Sequence, residues 1–150
     1  LTRRYGDRWF DDDRIPFNYA ARKSIRKAKK RAGGGDTPSG KIIAELNFDF
    51  WRFLLSNHYQ ASIWPQVKRA LKKSPDSRQQ FEELVVIVYE MRNRCSHHES
   101  IVHQNDRARE VAHLDSVDKA IQKLADFIDP LAATWIKVNS RVPAIRAQRP

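Results

Sequence analysis

The 150-residue chain carries 28 lysines and arginines against 18 aspartates and glutamates, a formal charge of +10, which favours a polyanionic partner such as nucleic acid or an anionic membrane surface. Its length suits one ordinary domain with a real hydrophobic core. A single cysteine, Cys95, excludes an intrachain disulfide framework, and no apolar run approaches the ~18 residues of a spanning helix, so the chain is expected to be cytoplasmic with no membrane partner.

Residues 1–17, LTRRYGDRWFDDDRIPF, mix charges and aromatics without a helical period and are expected to form an irregular lead-in, with Asp11 to Asp13 as a solvated turn. Next, Arg22, Lys23, Arg26, Lys27, Lys29, Lys30 and Arg31 form a basic helical run that ends at Gly33, Gly34 and Gly35, where a flexible linker should follow. These seven cations are candidates for contact with an RNA backbone, the rival reading being a solvated helix face or a tail. Ser39 is a favourable N-cap, and the pattern predicts one helix from it through KIIAELNFDFWRFLLSN, with Ile42, Ile43, Leu46, Phe50, Phe53 and Leu54 on a broad apolar face. Pro65 is tolerated only at a helix start, so SIWPQVKRALKK begins a short helix that stops near SPDS.

From Asp76 a strong helix carries Phe81, Leu84, Val85, Val88, Tyr89 and Arg92 on one stripe towards Cys95. A last helix is predicted from Asp115, with Val117, Ile121, Leu124 and Ile128 inward, until Pro130 ends or kinks it before LAATWIKVN. No strand-like alternation and no internal repeat are present, so the fold class is expected to be an all-α bundle. The expected organisation is a lead-in, basic helix and Gly-rich linker over 1–39, a helical domain over 40–140 and a tail over 141–150. Because the sequence begins at Leu1 rather than a methionine, it is expected to be a fragment of a longer protein.

Arg92 raises the chemical question. A guanidinium on a core-facing stripe costs free energy unless something pairs with it, so it asks for a partner, a ligand or an interface. A histidine follows it, but that spacing alone is weak: with 17 arginines and 5 histidines, a chance match at one fixed separation is expected about 0.6 times. Arg52 with His58 and Arg107 with His113 meet a looser spacing too. Arg92 is set apart by its polar neighbour Asn93, its place on the stripe and the segment FDFW upstream. The rival reading takes RNRCSHHE as a polar helix terminus.

Taken together, GKIIAELNFDFWRFLLSNHYQASIWP and MRNRCSHHE resemble the Abi-like (AbiD/AbiF) abortive-infection family of the HEPN superfamily, over roughly residues 40 to 105. The resemblance implies an all-α, HEPN-type helical bundle and metal-independent endoribonuclease activity in antiphage defence or toxin systems, with no cofactor. The superfamily motif of an arginine, a polar residue and a histidine falls on Arg92, Asn93 and His97. Relatives commonly bring two such motifs together across a two-fold interface, which implies a homodimer, with RNA as substrate and room for an antitoxin or guide RNA. The chain departs from the family pattern at Asp49, where a glycine is expected between the phenylalanines.

The chemistry needs no metal, because RNA carries its own nucleophile. The 2′-OH attacks the adjacent phosphorus if one group accepts its proton and another protonates the departing 5′ oxygen. Histidine titrates near neutrality and suits either task, while an arginine fork fits the charge of the phosphorane-like transition state. His97 and Arg92 take those roles in this reading. Asn93 would orient the imidazole or contact the phosphate, and His98 would support. Arg94, four residues after Glu90, is expected in an exposed helix ion pair, and Cys95 is expected to be a buried structural thiol. A metal site built from His97, His98, Glu99 and His103 is the weaker alternative, because adjacent histidines point about 100° apart on a helix. Phe48, Phe50, Trp51, Phe53, Tyr59 and Trp64 are expected in the core rather than as base-stacking platforms. Two non-enzymatic readings remain open, a helical module that binds RNA or protein without cutting it and a purely structural helical domain.

Overall fold

Short polar side chains decide where several helices of this chain begin. The computed structural model describes residues 1–34, 36–101 and 106–148, and among the described residues every regular element is helical. The fold class is all-α. The chain divides into two compact units: Leu1–Ala70 with Asp76–Glu82, and Leu71–Pro75 with Glu83–Pro150. No described helix is long and apolar enough to cross a membrane.

The first unit contains α1 (Thr2–Tyr5), a 3-10 turn at Trp9–Asp11, α2 (Tyr19–Ala32), α3 (Ser39–Ala44), α4 (Phe48–Phe53), a 3-10 turn at Asn57–Tyr59, α5 (Trp64–Ala70) and the first turn of α6 (Arg78–Ser96). The predicted helix from Ser39 is interrupted. Asn47 adopts an extended conformation and its Oδ1 accepts the Phe50 N–H at 2.9 Å, so a local cap competes successfully with helix continuation. Ser39 makes no cap of its own; Pro38 holds that position. Asn18 starts α2 by the same device, accepting from the Ala21 N–H at 2.9 Å. At the other end Gly33, with φ 115°, turns the chain left-handed and closes the helix, as a residue without Cβ does cheaply.

The core of this unit draws heavily on residues 1–17. Trp9, Phe10, Ile15 and Phe17 are buried beside Ala21, Ile25, Ala28, Ile42, Phe50 and Tyr59. Trp9 meets Phe10 edge-on at 5.6 Å between centroids and lies 5.8 Å from Trp51; each such buried aromatic contributes about 1.5–3 kcal/mol by area alone. The acidic triplet is tied to bases: Asp11 to Arg8 and Lys29, Asp12 to Arg14 at 2.6 Å, Asp13 to Arg22 at 4.0 Å. Of the aromatics expected in the core, Phe50 and Tyr59 are buried and Trp51 and Trp64 half-buried, whereas Phe48 and Phe53 are exposed.

The second unit holds the rest of α6, then α7 (Arg107–Ile128), α8 (Pro130–Asn139) and α9 (Val142–Ala147). α7 starts eight residues earlier than the apolar pattern predicts, because Asp106 accepts the Arg109 N–H at 2.9 Å and caps it. Asp129 is the joint between helices. Its N–H closes α7 on Ala125 and its carboxylate accepts from Leu131 at 2.9 Å to open α8, with Pro130 at the first position, where a missing N–H is harmless. The segment expected as a tail contains α9, which Arg146 ties to Asp115 of α7 at 2.7 Å. Lys72 and Lys73 donate backbone N–H bonds to the Phe127 carbonyl, and Lys73 pairs with Asp126 at 2.7 Å.

Candidate functional site

The motif residues stand at the C-terminal end of α6, within the second unit. Arg92 and His97 are exposed and Asn93 is half-buried. Arg92 does not face a core, contrary to the sequence expectation: helical geometry puts it in line with Phe81, Val85 and Val88, but the buried part of that stripe stops before it. Cys95 on the same side is likewise exposed, so the expectation of a buried thiol is corrected too.

Arg92 and Asn93 are brought together. Arg92 Nη1 donates to Asn93 Oδ1 at 3.1 Å. A guanidinium has donors only, so this contact also fixes the amide's sense, with the Asn93 NH2 turned away as a free donor. Asn93 therefore orients the guanidinium rather than the imidazole. Among the described residues Arg92 engages no other side chain, which leaves its Nε and Nη2 edge open in the fork geometry that fits a phosphate. His97 is joined to the pair through the main chain, its N–H donating to the Asn93 carbonyl at 2.9 Å; no side-chain hydrogen bond links its imidazole to either residue.

His98 has a different task. Its φ is positive, at 55°, and its N–H donates to the Cys95 carbonyl at 3.3 Å while the Glu99 N–H reaches back to Arg94 at 2.9 Å. That pair of bonds around a left-handed residue is a Schellman ending, usually built on glycine. Arg94 reinforces it by donating from Nη2 to the Ser100 carbonyl at 2.6 Å. The expected ion pair with Glu90 does not form, and Arg94 is a structural residue of the helix exit. Among the described residues no three His, Cys, Asp or Glu side chains are placed to hold a metal ion; His103 lies outside the described residues.

An apolar cavity of about 360 Å³ lies in the same unit, between Met91, Ile101, Leu114, Val117, Ile121 and Ile145. Met91 precedes the motif in sequence but points to the cavity, and the motif does not line it.

Comparison with protein-family models, with curated proteins and with solved structures finds no match to this chain.

The seven cations singled out in the basic run all lie on α2 of the first unit, and they sort into two groups that the sequence does not distinguish. Arg22 pairs with Asp13, Lys29 with Asp11, and Arg31 with Glu45 at 2.7 Å. Lys23, Arg26, Lys27 and Lys30 are exposed and have no carboxylate partner among the described residues. Tyr19, which sequence reasoning passed over, is 75% exposed at the start of the same helix.

Proposed function

We propose that the chain is a metal-independent endoribonuclease of the HEPN type, acting in an abortive-infection, antiphage or toxin system. The observation that supports this reading is the Arg92–Asn93 contact at 3.1 Å, which pre-orients a guanidinium fork at the exposed helix end that also carries His97. Arg92 receives the phosphate, and Asn93 adds an N–H donor. His97 takes the 2′-OH proton as the O2′–P bond forms and the P–O5′ bond breaks. A second proton carrier must protonate the 5′ oxygen, and the motif supplies one imidazole per chain; a second copy brings the other, so the working form is a homodimer with a shared site.

Incubation with mixed RNA in excess chelator is expected to give fragments ending in 2′,3′-cyclic phosphate and 5′-hydroxyl, with DNA left uncut because it lacks the 2′-OH. Activity that vanishes on chelation and returns with zinc or magnesium would overturn the mechanism. In exchanged mixtures of wild-type and His97→Ala chains, activity should fall more steeply than the wild-type fraction. Strict proportionality would exclude the shared site.

A further inference from the structure

The outer face of α2 is built as a track for a polyanion. Taking 100° per residue, Lys23, Arg26, Lys27 and Lys30 fall within about 100° of arc, and Tyr19 lies inside the same arc one turn before Lys23. The buried residues Ala21, Ile25 and Ala28 occupy the opposite side. The three cations with carboxylate partners sit between: Arg22 and Lys29 along one edge, Arg31 along the other. Among the described residues, acids from elsewhere in the unit thus neutralise the edges of the helix and leave its crest untouched. A solvated helix face placed for solubility alone has no reason to keep every acid off one side.

From these observations we propose that the α2 crest binds single-stranded nucleic acid, with Lys23, Arg26, Lys27 and Lys30 on successive phosphates and Tyr19 as a stacking platform for a base. Tyr19 projects 75% of its surface into solvent; an aromatic in line with cations is the combination that grips single strands without reading their sequence. The crest runs about 16 Å along the helix, long enough for a few nucleotides. An anionic membrane is the less suitable polyanion, because an interfacial helix inserts an apolar face, and the apolar face of α2 is already committed to the unit's core. The proposal requires binding only and stands or falls apart from RNA cleavage.

The test uses the full chain and a labelled 2′-O-methyl oligouridylate of about 15 nucleotides, which offers no free 2′-OH and so cannot be cut by the proposed chemistry. Anisotropy is read across a salt series, with the deoxy counterpart as a second arm and vesicles containing phosphatidylserine as a third. Replacing Lys23, Arg26, Lys27 and Lys30 by Gln is expected to flatten the log–log salt slope by about 3 and to weaken binding on the order of 10²-fold near 0.1 M salt. The double variant Arg31→Gln with Glu45→Gln, which removes a neutralised pair, should leave the slope as in wild type. Tyr19→Ala should cost about five-fold or more in affinity at unchanged slope, while Tyr19→Phe retains it. Thermal melts of the crest and Tyr19 variants should match wild type, since every side chain they replace is exposed; should the quadruple variant melt early, Lys23→Gln with Lys27→Gln carries the test, with about half the change in slope. An unchanged slope in the crest variants, wild-type affinity in Tyr19→Ala, or binding to vesicles but not to either oligonucleotide would each overturn the proposal.

Discussion

His98 offers a direct way to separate folding from chemistry at the end of α6. Its φ of 55° places a Cβ in the left-handed region, which costs roughly 1–2 kcal/mol for an L residue. Glycine has no such cost but loses about 0.5–1 kcal/mol more conformational entropy on folding. The difference predicts that His98→Gly stabilises the chain by about 0.5–1 kcal/mol, a rise in Tm of about 2 °C for a protein of this size. His98→Ala keeps the Cβ and gains nothing. Circular dichroism melts of the three proteins at neutral pH measure this, and the RNA assay run on the same samples reads chemistry. If the contribution of His98 is the backbone turn alone, both variants cleave at the wild-type rate while only the glycine variant melts higher. A lower Tm for His98→Gly would refute the strain argument. Folded but inactive variants of both kinds would put the His98 imidazole into the reaction.

Two further outcomes follow from the burial pattern. Arg92→Ala should change stability by no more than about 0.5 kcal/mol, since the side chain is exposed, yet it should abolish cleavage; Arg92→Lys should also be inactive, because a point charge cannot hold Asn93 and a phosphate edge together, and wild-type activity in the lysine variant would contradict the fork. Tyr59 is buried, with the Asn18 N–H on its hydroxyl at 3.4 Å, and burial pushes its phenol above the usual 10.0. The folded state then holds the proton longer than the unfolded chain, so this contribution to stability is complete below pH 10 and is lost as pH rises through the folded value; urea unfolding across the alkaline range should fall more steeply for wild type than for Tyr59→Phe, and parallel curves would exclude the effect.

The helical class, the basic helix α2 and the starts of α5 and α6 were legible because each is marked by a local signal: a run of helix formers, a proline at a first turn, an apolar period. What escaped was decided by competition or by distant partners. At Asn47 a single amide bonded to the Phe50 N–H broke a helix whose apolar period ran straight through it. Trp9, Phe10 and Phe17 carry no periodicity, and their burial depends on α2 and α4 closing over them, which no local pattern announces. α7 begins on the polar turn Arg107–Arg109, where the visible mark was the cap residue Asp106 rather than a hydrophobic one. At the site, the identity and spacing of Arg92, Asn93 and His97 were readable, but the direction of Arg92 was not: a stripe read from sequence says which residues share a side, and only the neighbours decide how far that side is covered.

The three arginines of α6 show why partnering, rather than charge, locates a candidate site. Arg78 donates to the Leu55 carbonyl at 2.6 Å and pairs with Glu82, closing the first turn onto its unit. Arg94 holds the exit loop at Ser100. Each has its guanidinium directed at groups of its own unit, and replacing either should act first on folding. Among the described residues Arg92 meets only the neutral amide beside it, so no described acid compensates its charge and one edge of its fork is unengaged. The same logic sorts α2, where Arg22, Lys29 and Arg31 are answered by Asp13, Asp11 and Glu45 while the crest is not. A formal charge of +10 is thus divided by the fold into cations that hold the structure and cations left facing outward, and only the second group has charge available for a phosphate.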